Sequence, residues 1–388
     1  MQISALRTRL RALWANPKHE ERVLRMWACA LPQDHGRRPL DSFLPKLLRE
    51  ALPTLTAELA ALATLQSQHP AADGSTRLLV GLGDGQTVES VLLPPDRAQA
   101  LCISTQVGCA VGCVFCMTGT GGLLRQLTSG EIVAQVVLAR SAFADRPIKK
   151  VVFMGMGEPA HNLDAALEAI HLLGTAGAIA HKQIVFSTVG DPRVFERLPR
   201  ERVKPALALS LHSTKAVLRE QLLPRAPRMT PQELVDAGEA YARASGYPIQ
   251  YQWTLIEGVN DGDDEIDGIA ALLQGKYALM NLIPFNAVPG MPWQRPSWER
   301  AAEMARSLHR RGVLTKLRQS AGQDVDGGCG QLRARARARA PGPGPALALA
   351  QPLPLPLPDG AAESAASPQP GLARLQRRRI PIALSNAG

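Results

Sequence analysis

Apolar positions recur at three- and four-residue spacing through the first 65 residues. The stretches "SALRTRLRALW" and "LPKLLREALPTLTAELAALATL" carry this pattern, broken by prolines. The spacing predicts amphipathic helices and a small helical N-terminal domain over residues 1–70. The domain reads as a packing appendage, with substrate binding as the sharper alternative. Residues 77–94 alternate differently. Two short apolar runs flank the turn signal "GDGQ", which predicts a pair of strands.

From Cys102 to Ser320 the period switches back and forth. Apolar runs that read as strands are "ALCISTQ", "KKVVFMG", "KQIVFSTV", "PALALSLH", "IQYQWTLI" and "ALMNLIPF". Helical stretches such as "SGEIVAQVVLARSAFA", "NLDAALEAIHLLGTAG" and "TPQELVDAGEAYARASG" lie between them. Ser129 and Thr230 stand where helix N-caps belong, the latter followed by Pro231. Serial βα units predict an α/β fold with a parallel sheet, open or partly closed into a barrel. Ligands then gather at the C-terminal ends of the strands. Residues 333–388, with "RARARARAPGPGPALALAQPLPLPLPDG", are low-complexity and Pro-rich and read as a disordered tail.

Composition refines this picture. Aromatic residues are only 4% of the chain, so the core must be built from Leu, Val, Ile and Ala. No uninterrupted apolar run reaches the ~18 residues of a membrane span. The first residues are punctuated by Arg and lack the apolar core of a secretory signal. A soluble, cytoplasmic protein in a reducing compartment is the expectation. The net charge of +10 suits a polyanionic partner. Beyond Leu332, however, eight Arg face only Asp359 and Glu363, so much of that charge belongs to the tail.

The six cysteines carry the chemistry. Cys109, Cys113 and Cys116 form a CxxxCxxC group in the loop after the strand containing Cys102. Thiolates bind zinc or iron–sulfur clusters. A closed zinc site needs four ligands, whereas three thiolates on a four-iron cluster leave one iron open. Phe115 stands where it would shield such a cluster. The following strand ends in "FMGMGEP", with Gly157 and Glu158. Its glycines would allow close backbone approach to a ligand. Later strands end in Ser187, in "LSLHS" with Ser210, Leu211 and His212, and in Asn286. Cys329 lies in a loop flanked by Gly327, Gly328 and Gly330, which suits a reaching nucleophile. Cys102 and Cys329 form a candidate pair for a transient disulfide. Cys29, in a helical stretch, reads as a buried apolar thiol.

The triplet resembles the cluster motif of radical S-adenosylmethionine (SAM) enzymes. The combination of "CISTQVGCAVGCVFC", "GMGEP", "LSLH", "LIPFN" and "DVDGGCGQL" is similar to the RlmN/Cfr family of RNA methyltransferases, over about residues 75–332. The resemblance implies a partial (βα)6 barrel, a [4Fe–4S] cluster held by Cys109, Cys113 and Cys116, and SAM bound at the open iron. SAM contacts would fall on Gly157, Glu158, Ser187, Ser210, Leu211, His212 and Asn286. The implied reaction methylates a carbon of adenosine, carbon 2 in the first instance, in rRNA and tRNA. Cys329 would carry the methyl group, and Cys102 would take the ring proton and close a disulfide with Cys329. Glu89, thirteen residues before Cys102, would supply acid/base help. The expected electron donor is a flavodoxin or ferredoxin, and the expected state is a monomer.

The chain departs from the family in two places. Where the family has an Arg-Gly pair in a "TRG"-like segment this chain reads "QSAG", with Ser320 and Ala321, and Gly327 and Gly328 replace two alanines. An Arg there would suit an RNA phosphate. Two other readings stay open at this level. One is a radical SAM enzyme with a non-RNA substrate. The other is a zinc-stabilised RNA-binding protein without catalysis.

Overall fold

A computed structural model describes residues 1–94, 99–286 and 291–318. All of them fall within one compact unit, Met1–Pro354. Its strands begin with β1 (Thr64–Pro70), β2 (Thr76–Gly81), β3 (Thr87–Leu92), β4 (Gln99–Cys102), β5 (Gln106–Gly108) and β6 (Leu123–Gln126). They continue with β7 (Ile148–Phe153), β8 (Ile184–Thr188), β9 (Ala206–Ser210), β10 (Ile249–Leu255), β11 (Ala278–Pro284) and β12 (Thr315–Leu317).

Ten strands form one sheet in the order β1-β2-β3-β4-β7-β8-β9-β10-β11-β12. The first four pair antiparallel, and from β4 onward every neighbour is parallel. The fold is a partial (βα)6 barrel whose wall is extended by an N-terminal antiparallel ribbon. All six apolar runs read as strands between Cys102 and Ser320 contain one.

Strand periodicity sorts the side chains. Val151, Phe153, Ile184, Phe186, Leu207 and Leu209 pack outward against the helices in the main core. Val91, Cys102, Val152, Val185, Ala206 and Ala208 form a separate cluster on the inner face. The inner residues are small, which leaves room inside the barrel for a ligand.

The helices Ile3–Ala12, Pro17–Ala28 and Lys46–Ala60 lie against the barrel helices Ser129–Ala142 and Leu163–Gly174. Leu6, Leu10, Leu24, Leu48 and Leu55 enter the same apolar core as Ile132 and Val136. At roughly 1.5–3 kcal/mol per fully buried apolar side chain, this contact anchors the N-terminal helices firmly.

Four local expectations are corrected. First, Pro53 does not break the helix Lys46–Ala60. Buried Leu48 and Leu52 before it and Leu55 and Leu59 after it hold both halves on one stripe. Second, residues 64–70 form edge strand β1, whose side chains are largely exposed and so lack an apolar signal. Its pairing with β2 supplies what its composition does not. Third, the N-cap of Ser129–Ala142 is Thr128, in a reciprocal capping box with Glu131. Ser129 instead bonds Gln2 Oε1 through both its amide and its hydroxyl. Fourth, Cys29 is only half-buried, and its thiol donates to the carbonyl of Ala176. Thr230 caps Pro231–Ser245 as expected, with Glu233 completing the box. The proposed tail, 333–388, lies outside the described residues.

Candidate active site

The cysteine loop opens at Gly108. Its φ of +86° and its packing both demand glycine, because a Cβ there would lie 2.0 Å from the carbonyl oxygen of Gly122. The Cys109 amide then donates to that carbonyl at 3.0 Å, closing the β5–β6 hairpin over the loop. On the other side the loop is latched to residues 222–225. Val114 N–H donates to Leu222 O at 3.1 Å, and Arg225 N–H donates to Val111 O at 3.2 Å. Arg225 Nη1 adds a bond to the carbonyl of Ala110 at 3.2 Å.

Cys109, Cys113 and Cys116 line one cavity of about 330 Å³. The same cavity is lined by Gly157, Glu158, Ser187, Ser210, His212 and Asn286, the positions expected to contact SAM. Leu211 is the exception. Its side chain is fully buried in the outward core, so only its backbone can face a ligand. Burial pushes the Cys109 thiol up to about 12, with the charges of Cys116 and Glu158 adding to it. Burial also raises the Cys113 thiol well above its ordinary value, reinforced by Cys116 and Cys109. Three crowded thiols that repel one another as anions need a soft cationic partner to ionise. Among the described residues no three His, Cys, Asp or Glu side chains converge on a single-ion position. The thiols border a volume instead, and this donor set fits an iron–sulfur cluster.

The "GMGEP" turn is built differently from the expectation. A Cβ on Gly155 would lie 2.7 Å from the backbone of Ile103, and one on Gly157 would lie 2.6 Å from Gln106 Cβ. Here the glycines let two strand ends meet, as well as bordering the cavity. Gln106 ties them, accepting the Glu158 amide at 2.7 Å and donating to Gln126 Oε1 at 2.8 Å. The Glu158 carboxylate is 5% exposed and accepts the amides of Ala160 and Val189, each at 3.0 Å. Burial nevertheless lifts its pKa to about 7.

His212 sits in the left-handed region, φ 60°, at the end of β9. Asn260 holds it there, donating to the carbonyls of His212 and Thr254, each at 2.8 Å. Its ring packs 4.7 Å from the ring of Phe115, which places that phenylalanine beside the cysteines. Arg219, missed in the sequence, lies behind this wall at 2% exposure. It donates to the carbonyls of Val189 and of Ser210, the latter at 3.2 Å. Burial lowers its pKa to about 10, and the nearby Cys113 opposes that shift. In "KAVLREQL" it reads as an ordinary helix residue. Only its companions in space mark it.

Cys102 and Glu89 do not border that cavity. Cys102 pairs with Val91 and Val152 on the inner face, where Met154 joins its cluster to the cavity wall. Glu89 lies two residues before Val91 and so on the same face. It forms an ion pair with Arg77 at 3.1 Å, both groups 2% exposed. Cys329, with Ser320, Ala321, Gly327, Gly328 and Gly330, lies outside the described residues.

Comparison with known proteins agrees with this geometry. Residues 103–270 match the Radical SAM superfamily. A probable RNA methyltransferase of Methylibium petroleiphilum is 72% identical over 86% of this chain and 93% of its own. Another, of Pseudomonas aeruginosa, is 64% identical over 86% and 95%. The crystal structure of a radical SAM methyltransferase from Sphaerobacter thermophilus superposes with a TM-score of 0.73. It is 36% identical and covers 85% of this chain and 97% of that one. The cavity that gathers the three thiols with the expected SAM contacts thus lies in a chain that belongs to the radical SAM superfamily, in the family of these methyltransferases, as an enzyme of SAM and a [4Fe–4S] cluster.

Proposed function

We propose that this enzyme methylates carbon 2 of an adenosine in RNA, in large-subunit rRNA and in tRNA. One observation carries the reading. Cys102 and Glu89 stand on the inner barrel face that continues into the thiol-lined cavity. A third thiol, Cys329, follows in the sequence. The relatives named as probable RNA methyltransferases, covered over more than nine-tenths of their length, support RNA as the substrate.

When bound, the cluster and SAM supply a methyl group and a 5′-deoxyadenosyl radical. Cys109, Cys113 and Cys116 hold the iron, while Gly157, Glu158, Ser187, Ser210, His212 and Asn286, with the backbone of Leu211, orient SAM. Carbon 2 of adenine is electron-poor, so the methyl group needs a carrier, and Cys329 holds it as S-methylcysteine. Cys102 takes the ring proton, and its thiolate then attacks the sulfur of Cys329; the S–S bond forms as the bond from that sulfur to the transferred carbon breaks, and the released carbon takes up a proton to become the methyl group of the freed base. Glu89 exchanges that proton onward. The inner face excludes water from these steps, because Val91, Val152, Val185 and Ala208 surround Cys102 with apolar groups.

Membership in the radical SAM superfamily displaces the zinc-stabilised, non-catalytic reading. Action as a cytoplasmic monomer, reduced by a flavodoxin or ferredoxin, belongs to the same proposal. So does a division into 1–70, 75–332 and a tail of 333–388. No helix among the described residues is long and apolar enough to cross a membrane.

Nucleoside mass spectrometry of rRNA and tRNA, from cells with and without the gene, tests the function. Loss of 2-methyladenosine is expected, and an unchanged nucleoside profile overturns it. Cys329→Ala should abolish methylation while SAM cleavage to 5′-deoxyadenosine persists.

A further inference from the structure

Several arginines in the described structure are neutralised by carboxylates. Arg7 and Arg11 meet Glu20, Arg9 meets Glu58, Arg125 meets Asp84 and Glu131, and Arg300 meets Asp263. One cavity of about 410 Å³ instead gathers cations with no carboxylate among its lining residues. It lies in the N-terminal helical region, away from the thiols. Lys18, Arg22, Arg37 and Arg38 line it, with His19 and Phe43 and no carboxylate. None of these four cations has an ion-pair partner among the described residues. Gathering like charges without counter-charges costs stability, and an anionic occupant removes that cost.

The cavity is built rather than incidental. Arg22 is half-buried and donates to the carbonyls of Gln33 at 3.1 Å and His35 at 2.7 Å, which fixes the loop carrying Arg37 and Arg38. Its guanidinium lies 4.8 Å over the Phe43 ring. Its Nε is buried without a hydrogen-bond partner. His19 Nδ1 accepts the Asn16 amide at 3.3 Å, which leaves Nε2 as its outward donor when the ring is neutral. Lys18, one turn before Arg22, shares its face of the helix Pro17–Ala28. Four residues before Lys18, in the preceding turn, Trp14 is 75% exposed. An exposed indole a few residues from unpaired cations offers the combination that single-stranded nucleic acid uses, rings for bases and cations for phosphates.

We infer that this basic cavity binds the phosphodiester backbone of the RNA substrate, with Trp14 stacking on an unpaired base. The inference rests on the RNA reading above and assigns its recognition to a surface remote from the cluster. The anchored Arg22 shapes the cavity, and the exposed Lys18, Arg37 and Arg38 reach the phosphates.

The test measures binding of a fluorescein-labelled RNA hairpin with an adenosine in its loop, as fluorescence anisotropy at rising KCl. The full-length protein is compared with the triple variant Lys18→Ala, Arg37→Ala, Arg38→Ala. Each lost phosphate contact removes about 0.7–0.9 from the slope of log affinity against log salt. The triple variant is expected to lose about 2 from the slope and at least tenfold in affinity. The variant Lys18→Arg, Arg37→Lys, Arg38→Lys should keep the wild-type slope, which separates charge from folding damage. An unchanged slope in the alanine variant overturns the inference while leaving the methylation reading intact. Adenosine monophosphate that competes as well as the hairpin also overturns it, since the cavity is then a small-anion site. If the wild-type protein shows no salt-dependent RNA binding, both readings fall. Loss of 2-methyladenosine on gene deletion is a separate measurement, so the two failures are distinguishable.

Discussion

The backbone amide of Thr254 donates to Nδ1 of His212 at 2.9 Å. This bond, between the ends of β9 and β10, makes Nδ1 an acceptor and leaves Nε2 to carry the proton. Burial, helped by the charge of Arg219, lowers the His212 pKa to about 3. His212 therefore enters the cavity as a neutral donor throughout the physiological range.

The pH consequence has a definite sign. The unfolded chain protonates His212 near 6.5, and the native protein does so only near 3. Between these values the unfolded state binds more protons, so stability falls as pH falls through that window. Urea melts at pH 8 and pH 5 should show a loss that His212→Gln removes, roughly 2 kcal/mol for the drop from 6.5 to 5. An equal pH response in the two proteins contradicts the buried neutral ring.

Arg219 is a cation placed beside Cys113 without a carboxylate of its own nearby among its hydrogen-bond partners. Arg219→Met is expected to make the cluster harder to reduce, by about 60 mV, a tenfold change in the reduced-to-oxidised ratio. Arg219→Lys should recover most of the shift. Redox titration followed by electron paramagnetic resonance reads both. A potential that follows neither substitution assigns Arg219 to packing alone.

Each of Cys109→Ala, Cys113→Ala and Cys116→Ala should lower iron from about four per chain to a trace. Circular dichroism should stay at the wild-type level, because the loop is latched by backbone bonds to Gly122, Leu222 and Arg225. Unfolding on loss of one thiol would show that iron, not those latches, holds the loop.

Two glycines with positive φ separate strain from crowding. Gly246 has φ 74°, and a methyl group added there would meet nothing within 4 Å, so Gly246→Ala should cost about 1 kcal/mol. Gly157 has φ 102° and Gln106 in the way, so Gly157→Ala should cost roughly 3 kcal/mol or more. Chemical denaturation of the two variants checks the ranking.

The buried pair Arg77–Glu89 predicts a second ranking. Arg77→Ala leaves a buried carboxylate without its cation and should destabilise by roughly 3–5 kcal/mol. Replacing both residues with Met should cost less, because no charge is stranded. If the double variant is the less stable, the pair contributes more than mutual neutralisation.

Thiol spacing, the alternation of strands and helices, and the polar residues at strand ends were legible in the chain before any fold. These are local signals, because a loop, a cap or an apolar period lies within a few residues of itself. That these strand ends and thiols gather about one cavity was legible too, since βα topology sends every strand's C-terminal end to one mouth. Other features arose only when distant segments met. Arg219 and Cys113 are far apart in the chain, and so are Asn260 and His212, yet the fold brings each pair together. Edge strand β1 carries no apolar period because its hydrogen bonds to β2, not side-chain burial, hold it. The cavity over Arg22 needed the loop 33–38 folded back on a helix, and no period in the sequence encodes that return. Inner and outer sheet faces differ only by which side the helices cover, a choice that packing makes and alternation does not.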